Sequence, residues 1–402
     1  MSEQRPVGGV AYCTISSANY LGRVQALLTS IAACQPDAQV EVLLCESPEV
    51  CRRISSELKR RFWAPDDVCP DWRHMAFYYN VIEFNTALKP YFMERLIEAG
   101  YGGVIYLDPD IEVYSSLAPV GDMLKEHDVV LTPHACHPVP DDGRRPAMEE
   151  YIRAGQFNLG FVGMAASENA RSMLRWWQEV CRERCLFDPS HRYFVDQFWA
   201  AAFASFAERF CVLRDPGCNV AYWNVFQRTL ARNAAGWVVD GKPLKFFHFS
   251  GLAEGELTKV SRYQDRVEAP PGSFLLDLLK GYADRTSSMP WQRYGPTPYS
   301  FGRYSDGEEI SAEDRRNFLY LSSEERKAIR DPFGARQGIR DIVRVDLAGR
   351  TRAYLADVKW ERHVRHAMAL GTELLHKIRT RGVVETGRLI ARYLARKLVG
   401  GR

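Results

Sequence analysis

Two carboxylates, Asp108 and Asp110, directly follow the apolar run Val104–Leu107, with only Pro109 between them. In an open α/β sheet, ligands bind at the carboxyl ends of strands, so both acids are expected to face a cleft. Two neighbouring carboxylates repel each other unless a proton or a cation lies between them. A divalent cation that also binds phosphate oxygens meets this requirement best. The pattern therefore predicts a site for a metal ion and a diphosphate.

The segment Tyr12–Tyr20 connects the first predicted strand to its helix, which is where a nucleotide base and ribose lie in a doubly wound sheet. The hydroxyls of Thr14 and Ser16 could bond the edge of a base, and Tyr20 could stack on its face. For each residue taken alone, a helix cap or a core aromatic is an equally good interpretation.

Two later segments place amides and an acid among apolar residues. Asn158 and Gly160 interrupt a predicted strand, and a glycine weakens a strand unless another group must approach the backbone closely. A sugar ring could be that group, with Asn158 binding its hydroxyls. Asp196 and Gln197 lie among aromatic residues near the start of a predicted helix, where an acid can also serve the helix dipole alone.

His248 stands among phenylalanines, where a lone histidine is more often a hydrogen-bonded core residue than a metal ligand. The glycine that follows in the same motif, and the cations Lys259 and Arg262, favour a metal ligand followed by a loop that clamps a diphosphate. The histidines and cysteine of residues 134–137 form a rival metal cluster, but they lack helical spacing and are interpreted as loop residues.

The elements that must position these residues alternate between strands and helices. Strands are predicted over 10–15, 40–45, 104–107, 129–132, 157–164 and 245–250, and helices over 20–33, from 48 onward, over 86–98, 169–185 and 195–206. This order predicts an α/β fold with a mostly parallel, doubly wound sheet. The pair Ser322 and Glu325 is typical of a capping box that opens a later helix.

Length and composition suit a globular protein, with 402 residues of which 46% are hydrophobic. No apolar run approaches the roughly 20 residues that span a bilayer, and the first residues lack the profile of a signal peptide, so a cytoplasmic location is expected. The ten cysteines are scattered without a Cys-x-x-Cys pair, which favours reduced thiols over disulfides or structural zinc.

The net charge of +3 is unevenly distributed, since residues 359–402 carry eleven Lys and Arg against three Asp and Glu. Arg388, Arg392 and Arg396 would share one face of a helix, which predicts either contact with anionic lipid or a solvated face of a helix packed on the body or a partner. Nucleic acid is excluded as a partner, because these basic residues lack interleaved aromatic platforms.

In their order along the chain, Tyr-Leu-Asp-Pro-Asp-Ile, Phe-Asn-Leu-Gly-Phe, Asp-Gln-Phe-Trp and His-Phe-Ser-Gly resemble motifs of GT-A-fold glycosyltransferases. The resemblance is strongest to the retaining family that includes glycogenin and the lipooligosaccharide galactosyltransferases, and it covers about residues 8–262. It implies a GT-A catalytic domain over 1–262. We expect an extension over 263–345 that shapes the acceptor side and a basic helical tail over 346–402.

The resemblance also implies a chemistry and a set of partners. A hexosyl group would move from a nucleotide sugar, with a UDP-sugar as the expected donor, to a glycan, lipid-linked or protein acceptor, with retention of the anomeric configuration. The same motifs occur in uncharacterised bacterial relatives, and we expect the transfer to serve polysaccharide biosynthesis. A peripheral contact with the inner face of the membrane through the basic tail would bring the enzyme to a lipid-linked acceptor.

The family's site residues carry over onto matching positions of this chain. Asp108, Asp110 and His248 would bind Mn²⁺, or Mg²⁺ in its place. Asp196 and Gln197 would be the catalytic residues, with Gln197 beside the anomeric carbon. The implied donor-binding residues are Thr14, Ser16, Tyr20, Lys89, Asp108, Asn158, Gly160, Lys259 and Arg262. The chain lacks both the Lys-Pro-Trp-like ending that usually follows the histidine motif and the first-strand acid that often binds uracil, so the clamp residue and the base stay open.

Two other functions are compatible with parts of the pattern. Haloacid-dehalogenase-like phosphohydrolases also carry Asp-x-Asp after an apolar strand, but their first aspartate follows the first strand, and Ile111-Glu112 does not match the residues expected next. A scaffold that binds a nucleotide sugar without transferring it is the other alternative. The intact acids and His248 argue against the scaffold.

Overall fold

A six-stranded sheet lies at the centre of the chain. The computed structural model describes residues 8–188 and 193–334, so the predicted basic tail lies outside the described residues. The strands are β1 (Val10–Ser16), β2 (Gln39–Leu44), β3 (Gly103–Leu107), β4 (Ile111–Val113), β5 (Val129–Pro133), β6 (Phe157–Ala165), β7 (Phe187–Asp188), β8 (Tyr193–Phe194), β9 (Phe210–Val212), β10 (Leu230–Asn233), β11 (Gly236–Val239), β12 (Lys242–Pro243) and β13 (Phe246–His248).

The central sheet has the strand order β2-β1-β3-β6-β5-β9. β1 is parallel to β2 and to β3, and β5 is parallel to β9. β6 is antiparallel to both of its neighbours, β3 and β5. The predicted α/β fold with a mostly parallel sheet is therefore confirmed. Because β6 runs in the opposite direction, its first residues lie beside the last residues of β3, at the edge where the parallel strands end.

Helices connect the strands and begin at the signals that the sequence carries. They are α1 (Leu21–Cys34), α2 (Pro48–Leu58), α3 (Pro65–Val68), α4 (Trp72–Tyr78), α5 (Val81–Ala87), α6 (Lys89–Glu98), α7 (Ala118–Asp122), α8 (Met148–Ala154), α9 (Glu168–Arg184), α10 (Phe203–Phe206), α11 (Phe274–Ser288), α12 (Ala312–Tyr320) and α13 (Ser323–Ala328). Ser47, Ser167 and Ser273 cap α2, α9 and α11 through their hydroxyls. The predicted capping box of Ser322 and Glu325 is confirmed at α13.

Two predicted helices differ from the observed ones. The helix predicted over 86–98 is divided between α5 and α6, because Pro90 lacks an amide hydrogen and favours the first turn of a new helix. The helix predicted over 195–206 begins two residues later and is irregular, since the chain forms a 3-10 helix over Gln197–Ala202 and then the short α10. Val195 has φ +44°, a left-handed conformation that a right-handed helix does not contain.

A short antiparallel pair joins segments that are far apart in the sequence. β4 continues directly from Asp110 and pairs with β13, so that Ile111 lies opposite His248. Phe246 of β13 stacks on Phe161 of β6, with ring centroids 5.4 Å apart. This contact packs the pair against the central sheet.

The segment after residue 262 packs against the earlier part of the chain through α11 and α12. In α11, Arg285 forms a two-point ion pair with Glu112 of β4, and the ring of Tyr282 stacks on Phe249 at a centroid distance of 3.7 Å. In α12, the guanidinium of Arg315 donates to backbone carbonyls at the end of α4. Within the described residues, no helix combines the length and the apolarity needed to cross a bilayer.

Candidate metal and donor site

The two carboxylates lie at the carboxyl end of β3, as predicted. Asp108 directly follows the strand, and its backbone N–H donates to the carbonyl of Gly160 in β6 over 2.8 Å. In the turn that follows, the N–H of Ile111 donates to the carbonyl of Asp108 over 3.1 Å. Because β4 begins at Ile111 and pairs with β13, the turn places Asp110 beside His248.

Asp108, Asp110 and His248 form one cluster of potential metal ligands. Each offers one ligand atom, and these atoms lie within 4.8 Å of one another. The Nε2 atom of His248 is 3.0 Å from Oδ1 of Asp110 and 3.7 Å from Oδ2 of Asp108. Such atoms can share a cation that lies about 2.0–2.6 Å from each of them. Two carboxylates and an imidazole therefore suit a divalent ion.

Charge pairing between Asp110 and His248 controls the titration of these two residues. Burial alone would raise the pKa of Asp110 and lower the pKa of His248. Their mutual contact outweighs burial, so the pKa of Asp110 is lowered and the pKa of His248 is raised. The site thus favours a positive charge beside the acids, and a divalent cation can supply it in place of the imidazolium proton.

The imidazole of His248 is positioned by packing. Trp223 meets it edge to face at a centroid distance of 5.1 Å. A Cβ atom on Gly160 would lie 2.3 Å from Cε1 and 2.5 Å from Nδ1 of His248, so glycine is required at this position. The sequence suggested that a sugar ring approaches this glycine; in the structure, the approaching group is the histidine side chain.

A buried network of amides lies beside the cluster. The side-chain carbonyl of Asn158 accepts a hydrogen bond from Asn219 over 3.0 Å. The side-chain nitrogen of Asn158 contacts His134 and Gln197, each at 3.3 Å. Gln197 accepts from the backbone of β6 over 2.9 Å and donates to a carbonyl of α8 over 2.7 Å. The structure thus brings the two predicted sugar-binding amides together. Each already has protein partners on both its oxygen and its nitrogen.

Lys89, Asp196 and Tyr106 connect this network to the first carboxylate. The Nζ atom of Lys89 is 2.6 Å from Asp196 and donates to the carbonyl of Leu159 over 2.8 Å. The hydroxyl of Tyr106 donates to Oδ1 of Asp108 over 2.7 Å. Burial raises the pKa of Asp196 in spite of Lys89, whereas the charges of Asp196 and Asp108 raise the pKa of Lys89 in spite of burial. Tyr106 therefore orients a predicted ligand, although its place in an apolar run gave no signal.

The predicted nucleoside residues lie at the end of β1 and the start of α1. Thr14 and Ser16 are buried, and the hydroxyl of Ser16 donates to the carbonyl of Ser17 over 2.9 Å. The hydroxyl of Thr14 has no hydrogen-bond partner among the described residues. Tyr20 is half-buried, and the guanidinium of Arg23 lies over its ring at 4.5 Å.

The predicted clamp residues lie in the loop after β13. Lys259 is paired with Glu256 over 2.8 Å, and both side chains are exposed. The guanidinium of Arg262 lies over the ring of Tyr263 and donates to its hydroxyl over 2.9 Å. These contacts are made within the loop itself, so a diphosphate contact by either cation stays a prediction.

Two residues near Asp110, Arg23 and Tyr282, carry no signal in the sequence. Arg23 in α1 helps His248 to lower the pKa of Asp110, and it forms an ion pair with Glu254 over 2.6 Å. Tyr282 in α11 is buried, and its hydroxyl has no hydrogen-bond partner in the described chain. Burial and then the charge of Asp110 raise the pKa of Tyr282. Both reach Asp110 through tertiary packing, which local spacing does not reveal.

The alternative metal site at residues 134–137 does not form, because its side chains are not grouped as metal ligands. His134 is buried, and its Nδ1 bonds to the carbonyl of Gly155 over 2.7 Å. Burial lowers the pKa of His134 to about 4, so the ring is neutral and serves the amide network. Among residues 8–188 and 193–334, the cluster around Asp108 is the one group of three such side chains close enough to share an ion.

The chain has relatives in Bacillus subtilis (strain 168), while no family model matches it. The uncharacterized protein YfnF is 25% identical over 269 residues, which cover 65% of this chain and 88% of YfnF. The uncharacterized protein YfnD is 27% identical over 176 residues, which cover 42% of this chain and 54% of YfnD.

Solved structures of glycosyltransferases are similar to this chain. The galactosyltransferase LgtC in complex with donor and acceptor sugar analogues has a TM-score of 0.43 at 16% identity, covering 71% of this chain and 99% of LgtC. GlyE from Streptococcus pneumoniae TIGR4 has a TM-score of 0.42 at 13% identity, covering 72% of this chain and 62% of GlyE. The bifunctional glycosyltransferase WbbM has a TM-score of 0.43 at 15% identity, covering 73% of this chain and 52% of WbbM.

Proposed function

We propose that this chain is a metal-dependent glycosyltransferase that moves a sugar from a nucleotide-sugar donor to a glycan, lipid-linked or protein acceptor. The observation that carries the proposal is the cluster of Asp108, Asp110 and His248 at the carboxyl end of β3. The cluster calls for a cation, and a diphosphate that shares the cation would bring the donor sugar to the same edge of the sheet.

The donor set supports Mn²⁺ ahead of Mg²⁺, because one of the three ligands is an imidazole nitrogen and Mg²⁺ prefers oxygen. When bound, the cation would neutralise the charge that develops on the departing nucleotide. Tyr106 orients Asp108, while Trp223 and Gly160 confine the imidazole of His248. The ligands are therefore held in place by residues around them.

We place the base and ribose of the donor, a UDP-sugar in this proposal, at the end of β1. The hydroxyl of Thr14, which is buried and has no hydrogen-bond partner among residues 8–188 and 193–334, supports this placement, since such a group gains a partner when a nucleoside binds. Ser16 and Tyr20 border the same segment. Lys89, Asn158 and Gly160 border the position of the donor sugar, next to the metal cluster.

For transfer with retention, a same-face attack fits the catalytic residues better than a double displacement through a covalent glycosyl-enzyme. An amide such as that of Gln197 is a poor nucleophile, and the carboxylate of Asp196 is paired with Lys89 and almost fully buried. In a same-face attack, the bond from the anomeric carbon to the leaving phosphate breaks as the bond to the acceptor oxygen forms. The acceptor proton then moves to a phosphate oxygen, and Asp196 and Gln197 position the sugar.

Donor hydrolysis across a panel of nucleotide sugars, with Mn²⁺, Mg²⁺ or EDTA, tests the proposal. We expect metal-dependent release of one nucleotide by the wild-type chain. Asp110→Ala should release it at least about a hundredfold more slowly, which is the scale of losing one strong electrostatic contact. Asp122→Ala is the matched control, because Asp122 is an exposed acid that pairs with Lys125 on the surface.

The other outcomes separate the alternatives. Near-normal turnover by Asp110→Ala would remove the metal assignment. Phosphatase activity that does not depend on a nucleotide sugar would favour the phosphohydrolase function. Tight donor binding with neither transfer nor hydrolysis would favour the scaffold. The panel also names the base and the sugar of the donor.

We further propose a cytoplasmic protein that rests on the inner face of the membrane through its basic tail. The excess of Lys and Arg over residues 359–402 supports this location, because clustered cations bind anionic lipid surfaces. The bound surface would also present a lipid-linked acceptor to the site.

A further inference from the structure

We propose that Arg23 binds the diphosphate of the donor and that Glu254 occupies its guanidinium group until the donor arrives. The inference rests on the proposed function, since it assumes a diphosphate beside Asp108 and Asp110. The sequence motifs assign a diphosphate contact to Lys259 and Arg262. They assign no role to Arg23.

Arg23 lies between the predicted nucleoside segment at the end of β1 and the metal cluster. It is in the first turn of α1, three residues after Tyr20, so it directly follows the predicted nucleoside segment. α1 runs beside β4, where the hydroxyl of Ser30 accepts from the backbone N–H of Val113 over 3.0 Å. The guanidinium of Arg23 lies 4.5 Å from the ring centroid of Tyr20 and is hydrogen-bonded to Glu254, in the loop that follows His248. A phosphate chain that joins a nucleoside at β1 to a cation at Asp110 would therefore pass this guanidinium.

A second group converges on the same place. Tyr282 stacks on Phe249, the residue after His248, and its hydroxyl is buried without a hydrogen-bond partner in the described chain. α11, which carries Tyr282, packs against α1, which carries Arg23. An unpartnered buried hydroxyl is costly unless another molecule satisfies it. A phosphate oxygen is an acceptor that both Tyr282 and Arg23 can serve.

Glu254 is suited to be a temporary partner. Glu254 belongs to the loop after β13, and its side chain is 60% exposed. The same loop contains Gly251, whose φ is +63°. A contact between Arg23 and one exposed carboxylate contributes little, because solvent screens it. A diphosphate offers more charge and can accept paired hydrogen bonds from the guanidinium. Exchange of Glu254 for the diphosphate is therefore favourable, and it would release the loop from α1 as the donor binds.

Calorimetric titration with nucleoside diphosphates tests the inference on the full-length chain. ADP, GDP, CDP, UDP and TDP would each be titrated in the presence of Mn²⁺, and the nucleoside of the tightest binder would serve as the ligand without phosphates. Arg23→Ala should weaken binding of the diphosphate at least about tenfold and leave binding of the nucleoside unchanged. Glu254→Gln should tighten binding of the diphosphate, by roughly two- to fivefold, because a competing anion is removed.

Arg175→Ala is the matched control. Arg175 makes an ion pair with Glu168 of the same length, 2.6 Å, on the surface of α9, and its removal should change neither affinity. If Arg23→Ala does not fold, as judged by its melting temperature, Arg23→Lys and Glu254→Gln carry the test. The lysine keeps the charge but loses the planar fork, so it should also weaken binding of the diphosphate.

Three results would overturn the inference. Equal affinity of wild type and the Arg23 variants for the diphosphate would remove Arg23 from the site and leave the proposed function intact. Equal weakening of the diphosphate and the nucleoside would show a structural role, and unchanged or weaker binding by Glu254→Gln would exclude the exchange. Failure of the wild-type chain to bind any of these diphosphates with Mn²⁺ would overturn the proposed function together with the inference.

Discussion

Gly160 decides how closely the imidazole of His248 can approach β6. Any side chain at this position would meet Cε1 and Nδ1 of the ring and also the side-chain oxygen of Asn158, at 2.8 Å. These atoms belong to buried groups with little room to move. The position of His248 beside Asp108 and Asp110 therefore depends on the absence of a side chain at Gly160.

Gly160→Ala should weaken Mn²⁺ binding by roughly ten- to a hundredfold, because the imidazole must turn away from the two carboxylates. The rise in melting temperature with added Mn²⁺ measures this affinity in the wild type and the variant. Gly163→Ala, in the same strand, is the control: its added methyl meets the end of the Leu124 side chain at 3.2 Å, away from the ligands. Equal metal affinity in wild type and Gly160→Ala would contradict the assignment of His248.

The residues that could be predicted are those whose neighbours in sequence already indicate a site. Asp108 and Asp110 end a strand, and His248 is set in an apolar strand where a polar side chain needs a reason. Arg23 and Tyr282 could not be predicted, because each lies in an ordinary helical pattern and reaches Asp110 only when α1 and α11 pack. Long-range contacts of this kind leave no spacing to recognise.

At the scale of elements, Asp128 holds the sheet together at the end away from the metal cluster. It precedes β5, and its carboxylate accepts from the hydroxyl of Ser167, which caps α9, and from the guanidinium and backbone N–H of Arg209, which precedes β9. Its own carbonyl accepts from the backbone N–H of Ala165, the last residue of β6, over 3.0 Å. One buried acid thus connects three strands and a helix.

Asp128→Asn should lower the free energy of unfolding by about 1–3 kcal/mol at pH 7, since a charged acceptor of several hydrogen bonds is lost. Burial alone would raise the pKa of Asp128, but the hydrogen bonds from Arg209 and Ser167 lower it overall. A lowered folded-state pKa gives stability that is present above the ordinary carboxyl pKa of about 4 and lost as the pH falls through the lower folded value. The difference between wild type and variant should therefore shrink below about pH 4.

Urea unfolding at several pH values measures this difference. Asp122→Asn is the control, because solvent screens its exposed pair with Lys125, so the substitution should leave the free energy of unfolding nearly unchanged at each of these pH values. A difference for Asp128→Asn that stays constant down to pH 2 would show that the carboxylate charge does not carry the effect.

Elements with a strong repeat could be predicted, and those shaped by side-chain contacts could not. α1 and α9 follow a helical repeat of apolar residues and were predicted within a residue or two at each end. The segment 195–206 is predicted as one regular helix, whereas the structure has a 3-10 helix followed by α10. The contact of Asp196 with Lys89 and the bonds of Gln197 to β6 hold the start of this segment, so tertiary contacts there override the propensity for a regular α-helix.

At the scale of the whole molecule, the segment after residue 262 is attached to the end of α4 by a buried cation, Arg315. The guanidinium of Arg315 donates to the carbonyls of Phe77 and Tyr79 at the end of α4, over 2.6 and 2.8 Å, and to the carbonyl of Phe301 over 2.7 Å. A helix end leaves carbonyls without partners inside the helix, and this side chain satisfies them. α12 is thereby fixed to α4 at a distance of more than two hundred residues in sequence.

Arg315→Met keeps the length of the side chain and removes its donors, so buried carbonyls lose their partners. We expect the free energy of unfolding to fall by about 2–3 kcal/mol. Arg303→Met, at an exposed residue, should change it by less than about 0.5 kcal/mol. Urea unfolding provides the measurement, and Mn²⁺ affinity should be equal in all three proteins. A loss of metal affinity in Arg315→Met would show that α12 acts on the site and not only on stability.

The net charge of the basic tail, residues 359–402, is opposite in sign to that of the remaining chain. Residues 359–402 carry a net charge of +8 from eleven basic and three acidic residues, and the rest of the chain sums to −5. A surface-bound enzyme gains from this separation, since the tail is attracted to anionic lipid while the body is repelled from it. Replacing Arg388, Arg392 and Arg396 together by Gln removes three of these charges and leaves the length of the chain unchanged.

We expect the triple variant to bind vesicles of anionic lipid at least about tenfold more weakly, at roughly 1 kcal/mol for each charge near the surface. Co-sedimentation with vesicles that contain phosphatidylserine, and with neutral vesicles for comparison, measures the effect. Replacing Arg52, Arg53 and Lys59 by Gln removes the same charge from α2 and the residue after it and serves as the control. Equal co-sedimentation of the wild type and the tail variant would exclude the membrane and favour a helix that packs on the body or on a protein partner.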